Sequence, residues 1–406
     1  MRKGWRTAPL QSLCNDFQQD IVDGPFGSEL QRKDYLTEGF PVLKIQNVRP
    51  FGILLKKMDY VSAEKFAELR RHSFQRGDIV MTKLGSPLGV SAVVEDVEDG
   101  VIVADLVRIR AQRIDTRYLC YHLNSEMTSA FINSMQKGTT RPRVTLSVVR
   151  QLPIAVPSSD EQRRIVAILD EAFEAIATAK ANAEKSLHNA RELLAVATRQ
   201  AFDALGERCE ARLLGSVCRF ENGDRGKNYP GKEHRVAQGI PFINAGHLTP
   251  TGIDFAEMDY ISPERFALLG NGKVQPMDVL FCLRGSLGKY ASVGDLSCGA
   301  IASSLVILRP TEELNHEYLL CFLGSTLCTE QIEAFKGGAA QPNLGAKDLK
   351  QFAIPLPPID EQRLTAARIL ELQDRTSDLL KVTTQKLAAL EELKKSLLHQ
   401  AFSGQL

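Results

Sequence analysis

The chain repeats itself at an offset of 200 residues, so whatever it folds into must contain one module twice. Asp160-Glu161-Gln162-Arg163 recurs as Asp360-Glu361-Gln362-Arg363, and Met58 through Phe66 recurs as Met258 through Phe266 with six of nine positions identical. Gly85-Ser86 and Gly285-Ser286, Tyr118 and Tyr318, Pro142 and Pro342, and Pro157 and Pro357 keep the same register. A period of that length is far beyond a solenoid unit and reads as a duplicated domain.

With 406 residues, 44% hydrophobic and 24% charged, the chain has material for two or three ordinary cores. Met1 to Arg6 lacks the apolar run of a signal peptide and no eighteen apolar residues run together, so a cytoplasmic location is expected. The eight cysteines include no Cys-x-x-Cys pair and read as buried free thiols, and no metal site is expected. The net charge of +1 conceals an asymmetry. Residues 1–158 carry 22 Lys and Arg against 17 Asp and Glu, whereas residues 206–358 carry 15 against 17. Neither half is basic enough to hold a polyanion by charge alone, so any nucleic-acid role calls for local patches or a more basic partner.

Each copy divides into a mixed globular part and a long helix. Short apolar runs such as Pro41 to Val48, Asp78 to Lys83 and Val101 to Ile109 predict strands and turns, and Ser62 to Arg71 and Thr116 to Met135 predict helices. After Pro157 no proline or glycine occurs until Gly206, and a stripe runs through Ile165, Leu169, Ala172, Ile176, Ala179, Ala183, Leu187, Ala190, Leu194, Ala197 and Ala201. That spacing predicts a helix of about 44 residues. The second copy repeats the phase from Ile369 to Ala401, with Lys394 where the first has Leu194. One stripe is alanine-rich and the other leucine-rich, as mutually fitted helices require. An approximate two-fold axis would set them antiparallel and produce a dumbbell with two heads. The expected divisions are 1–158, 159–205, 206–358 and 359–406. The acids of the repeated tetrads stand in the first turn, where they oppose the helix dipole and mark the helix start.

Leu152-Pro153-Ile154-Ala155-Val156-Pro157 before Glu161-Gln162-Arg163, repeated as Phe352 to Pro358 before Glu361-Gln362-Arg363, resembles the boundary motif of type I restriction-modification DNA specificity subunits. Asp23-Gly24-Pro25-Phe26-Gly27-Ser28 and Asn222-Gly223-Asp224-Arg225-Gly226-Lys227 resemble head segments of that family. The resemblance covers essentially the whole chain. It implies α/β (α+β) heads: two pseudo-two-fold-related target-recognition domains separated by a pair of long antiparallel coiled-coil helices. Each head would read one half of a split double-stranded DNA site, while the helices set the spacing and dock two methyltransferase subunits. The subunit itself would be non-catalytic and hold no cofactor. The complex would use S-adenosylmethionine, and ATP and magnesium where two restriction motor subunits join it. The competing reading is a non-enzymatic coiled-coil scaffold whose heads bind proteins.

The catalytic motifs of the partners are missing here. No Gly-Lys pair is followed by Ser or Thr, as a phosphate-cradling loop requires, and Pro357-Pro358 lacks the Asn or Asp before it and the aromatic after it that an amino-methyltransferase needs. Candidate DNA contacts are Arg141 and Arg143, which stand opposite Gln341 and Asn343 in the second copy. Arginine suits guanine edges, and Gln or Asn suits adenine. Lys83 and Arg284, just before the shared Gly-Ser turns, and Arg225 and Lys227, in a glycine-flanked loop, are candidate phosphate contacts. Base-reading loops are expected where the copies diverge, near 18–36 and 221–237.

Overall fold

The structure, a computed structural model, describes residues 4–138, 140–338 and 342–406. Two units emerge, Met1–Ala183 with Gln385–Leu406, and Glu184–Thr384.

In the first unit, Arg6–Pro9 pairs antiparallel with Pro153–Val156, tying the start of the copy to the residues that lead into its long helix. An antiparallel sheet runs Ile21–Asp23, Leu106–Ile109, Ile79–Thr82, Ser91–Val93. A second sheet runs Asp59–Val61, Phe40–Leu43, Asp99–Ile102, Ser73–Gln75, and its inner pair is parallel. Three core helices follow, Thr116–Leu123, Glu126–Met135 and Leu146–Arg150.

The second unit repeats this plan with Cys218–Asn222, Leu305–Pro310, Val279–Cys282 and Tyr290–Ser292 in one sheet. The parallel pair recurs as Ile240–Ile243 with Ala300–Ile301. The helix starts are set by the same chemistry in both. Asp115 and Asn315 accept from the amides of Tyr118 and Tyr318, and Ser125 and Ser325 cap the helices that follow.

Thr116 to Met135, expected as one helix, is therefore two. The amide of Asn124 donates to the carbonyls of Cys120 and Ser91, ending the first helix on a strand, and Ser125 starts the next. The run Pro41 to Val48 is likewise interrupted, because Asn47 turns back to accept from the Lys44 amide and closes a short 3-10 turn at Ile45–Asn47.

The first long helix is Ser159–Gly206, 48 residues, and the second is Ile359–Ser403, 45 residues. At 1.5 Å per residue each spans roughly 70 Å. Every position of the alanine-rich stripe is buried or half-buried. Within the first unit, Ile165 and Leu169 share a core with Leu398, Ala401 and Phe402. Arg164 donates to the Leu406 carbonyl at 2.7 Å and Lys180 pairs with Glu391 at 3.1 Å, so the segments run antiparallel. In the second unit Phe202 and Leu205 pack with Ala366 and Ile369. Among the described residues, no helix is long and apolar enough to cross a membrane.

The repeated tetrads do more than start helices. The side-chain oxygen of buried Gln162 accepts from the Asp115 amide at 2.8 Å, and its nitrogen donates to the Pro157 carbonyl at 3.0 Å. Gln362 makes the same two bonds with Asn315 and Pro357, each at 2.8 Å. One glutamine thus clips each long helix to the cap of a head helix. Ser158 Oγ, rather than an acid, accepts from the Glu161 amide in the first turn of the first long helix, and Asp160 pairs with Arg163.

Candidate nucleic-acid interface

Because the strands Ile21–Asp23 and Ile79–Thr82 run opposite to Leu106–Ile109, three connections emerge at one edge of the first sheet. They are the loop after Asp23, the segment from Lys83, and the turn before Leu106. The Lys83 amide donates to the Asp105 carbonyl at 3.0 Å and Gly24 to Leu106 at 3.3 Å. A fourth segment joins them. Val144 donates to the Lys83 carbonyl, and Lys137 and Arg143 exchange two backbone bonds at 2.9 Å, which hold those two residues together beside that edge. The second unit builds the same edge: Leu283 donates to Ser304, Leu344 to Leu283, and Gly337 and Asn343 exchange the paired bonds.

The glycines of the two head motifs are required by this crowding. A Cβ at Gly24 would lie 2.1 Å from the Val103 carbonyl carbon, and one at Gly223 would lie 2.6 Å from the Ala302 oxygen. Only a residue without a side chain lets these loops cross so close to the neighbouring turn.

Arg143 and Asn343 hold equivalent positions, both exposed, bridged to Leu84 and Arg284 respectively. Arg141 is exposed, with its guanidinium 3.7 Å from Asp105. Arg284 is exposed. Arg225 is exposed and donates to the Ser303 carbonyl at 3.2 Å, which draws its loop to this edge. Lys227 is exposed, while its carbonyl is held by Arg265. Gln341 lies outside the described residues.

Lys83 differs from the others. It is buried, its ammonium pairs with Asp23 at 2.5 Å, and it sits 4.6 Å above the Phe26 ring. It holds the Asp23–Ser28 loop against the sheet instead of extending into solvent. Its structural counterpart is Leu283, also buried. Arg284 corresponds to Leu84, one residue on and facing the other way, as strand alternation dictates.

Several braces of the edge escaped sequence reasoning. Asp224 accepts from the amides of Gly226 at 2.7 Å and Gly270 at 2.9 Å, and these donors hold its carboxyl below the ordinary aspartate range. In the first unit His72 contacts the Asp23 carbonyl at 2.5 Å from a segment 49 residues away. Arg265 donates to the Tyr229 carbonyl and fixes the far side of the second loop. The Asp-x-Gly pattern at 224–226 was the one local signal, as it favours an Asx turn.

The thiols of Cys14, Cys120, Cys218, Cys321 and Cys328 are pushed up to about 12 by burial, which makes them inert. Among the described residues no group of His, Cys, Asp and Glu is placed to hold a metal. The edge offers exposed guanidiniums, amides and backbone on a braced frame, which suits recognition.

Comparison with known proteins agrees in kind. The chain is 23% identical to the EcoKI specificity subunit of Escherichia coli strain K12, covering 100% of this chain and 89% of that one. It is 22% identical to the MjaVIII specificity subunit of Methanocaldococcus jannaschii over 76% of this chain and 74% of that one. The fold matches a chain from a solved type I R-M system with a TM-score of 0.76 at 20% identity, covering 100% and 99% of the two chains. It also matches the HsdS subunit of Thermoanaerobacter tengcongensis with a TM-score of 0.57 at 20% identity, over 100% and 98%. The profile of the type I restriction modification DNA specificity domain matches residues 97–187 and 207–392. A braced sheet edge built twice, and a family profile that matches more than half of the chain, place this chain in the type I restriction-modification DNA specificity family.

Proposed function

We propose that residues 1–158 and 206–358 act as two target-recognition domains, each reading one half of a bipartite double-stranded DNA site through its strand-end edge. The helical segments 159–205 and 359–406 serve as spacer and as docking surface for two methyltransferase subunits. The chain supplies specificity; S-adenosylmethionine, and ATP with magnesium where motor subunits are present, belong to the partners. The observation that carries the reading is one frame presented twice with different side chains: exposed Arg143 where the other has exposed Asn343, and half-buried Leu84 where the other has exposed Arg284. A guanidinium donates two bonds to guanine, whereas a carboxamide both donates to and accepts from adenine, so the two frames are equipped for different bases. Arg141, Arg225, Lys227 and Gln341 complete the contacting set, with Lys83 as a positioning residue.

The test is methylation of a random-sequence duplex library by the chain mixed with its methyltransferase subunits. Exchange of residues 206–358 for another head should change one half of the methylated sequence and leave the other intact. A simultaneous change in both halves would refute independent heads, and methyl transfer by the chain alone would refute a purely recognitional role. In the same assay Arg143→Ala should relax base preference within one half-site, a loss of about 1–3 kcal/mol in discrimination.

A further inference from the structure

Beside the loop after Asp23 the first unit opens a cleft of about 650 Å³ that includes Phe26, His72 and Arg150. A second, more polar cleft of about 350 Å³ adjoins it, and Arg71 lines both. The second cleft gathers Arg70, Arg71, Arg108 and Arg110. Arg110 is neutralised there by buried Asp78 through two bonds of 2.7 Å. The other three cations have no ion pair with the described residues. Arg108 is buried in the floor; its terminal nitrogens reach only the neutral carbonyls of Ser73 and Gln19, and its Nε has no partner. Burial and the charge of Arg110 both weigh against the charged form of Arg108, so an anion in the cleft would relieve it. Arg70 and Arg71 stand exposed at the rim, their guanidiniums making no hydrogen bond with the described residues. Asp20 and Asp99 are the acids of the lining, two against three unpaired cations.

The second unit lacks this feature. The register is fixed by a repeated strut: Gln75 and Gln275 donate to Asp78 and Asp278, which bind Arg110 and Arg309 in the same bidentate way. In that register Arg70, Arg71 and Arg108 become Gly270, Asn271 and Ile307. The Gly270 amide is spent on bracing Asp224. Much of the charge difference between the halves is thus concentrated in one cleft, next to the loop that the first edge presents.

We infer that the arginine-lined cleft of the first unit holds a backbone phosphate of bound duplex, flanking the bases that unit reads, and that the second unit makes no equivalent contact. Guanidiniums on a rim match phosphate oxygens in paired, charge-assisted bonds, and such contacts position a duplex without reading it. The inference rests on the DNA-recognition reading above.

The test uses the full chain assembled with its methyltransferase subunits and a fluorescent duplex carrying both half-sites, titrated between about 50 and 200 mM salt. Arg70→Gln/Arg71→Gln should lower the slope of log affinity against log salt by about 1, weaken all duplexes alike by roughly tenfold, and leave the methylated sequence unchanged. Asn271→Ala in the second unit should leave the slope as it is. An unaltered slope and affinity in the double variant, beside a steep wild-type slope, would overturn the phosphate assignment alone. Altered base preference in one half-site would replace it with base reading. Thermal protection of the wild type but not the variant by inorganic phosphate, with no change in the duplex slope, would replace it with a small-anion site. A wild-type complex that bound no duplex would overturn the DNA reading itself, and this contact with it.

Discussion

Truncating Phe402 to alanine should cost the first unit about 3–5 kcal/mol, and Phe202→Ala should cost the second unit as much. Both rings are buried at the far end of a long helix, where it meets a head. Phe402 stands edge-on to Tyr118 at 5.5 Å and to His122 at 4.8 Å; Phe202 lies 5.2 Å from Tyr318 and 5.9 Å from Phe322. Each tyrosine is itself immobilised, with its hydroxyl donating to the carbonyl of Ala155 or Pro355. The surrounding side chains therefore have little freedom to collapse into the space left, and the cavity term is fully felt. Units of this size lose about 2–4 °C of melting temperature per kcal/mol, so a fall of roughly 6–20 °C is expected by calorimetry. A fall below about 2 °C would show that the helix ends do not complete the head cores.

The second large effect concerns His122, which is buried and has no charged neighbour. Its Nε2 accepts from the Ala155 amide at 3.1 Å, so that nitrogen carries no proton, and Nδ1 faces the Thr128 hydroxyl at 3.2 Å. Desolvation pushes its pKa from 6.5 to about 4. The unfolded chain therefore binds a proton that the folded chain refuses. Stability is fully present above about pH 6.5 and is lost as pH falls toward about 4, by about 3 kcal/mol at most. The second copy removes the problem in one coupled exchange. Phe322 stands in place of His122, and Pro355, which has no amide hydrogen, stands in place of Ala155. His122→Phe alone should abolish this acid sensitivity yet lose about 1–3 kcal/mol at neutral pH, because the Ala155 amide is left buried without an acceptor. His122→Phe/Ala155→Pro should recover most of that loss. Melting temperatures of the three proteins at pH 7 and pH 5 decide it; a single variant as stable as the double one at pH 7 would sink the argument.

That coupling also shows where sequence reading runs out. The long helices were legible because a stripe of 3.5-residue spacing over eleven positions has few other solutions, and the observed burial follows it position by position. Lys394 broke the stripe on paper. In the fold its ammonium lies 4.8 Å from the rings of both Phe51 and Phe173, so a cation fills an apolar position by cation–π contact with the first long helix and with a turn more than 340 residues earlier. No local pattern encodes such a contact. The sheet order was out of reach for a related reason: the parallel pair of Phe40–Leu43 with Asp99–Ile102 joins strands that have six other strands between them in the chain. At the interface, Lys83 and Arg284 looked alike as cations before a Gly-Ser turn. They sit at adjacent register positions, so one turns inward to Asp23 and the other outward. Arg70 and Arg71 went unremarked because each reads as a solvated helix-end residue until the fold brings Arg108 beneath them.

The division of the long helices between the units has a consequence for biosynthesis. The second unit, Glu184–Thr384, is continuous in sequence and has every residue it needs once Thr384 is made. The first unit is interrupted after Ala183 and waits for Gln385–Leu406. Leu398, Ala401 and Phe402, which close its core, reach it only after more than 200 further residues. At about 5–20 residues per second that is a delay of roughly 10–40 s on the ribosome. During it the apolar face of Ile165 and Leu169 has no partner from the second helix, so the head translated first becomes the head finished last.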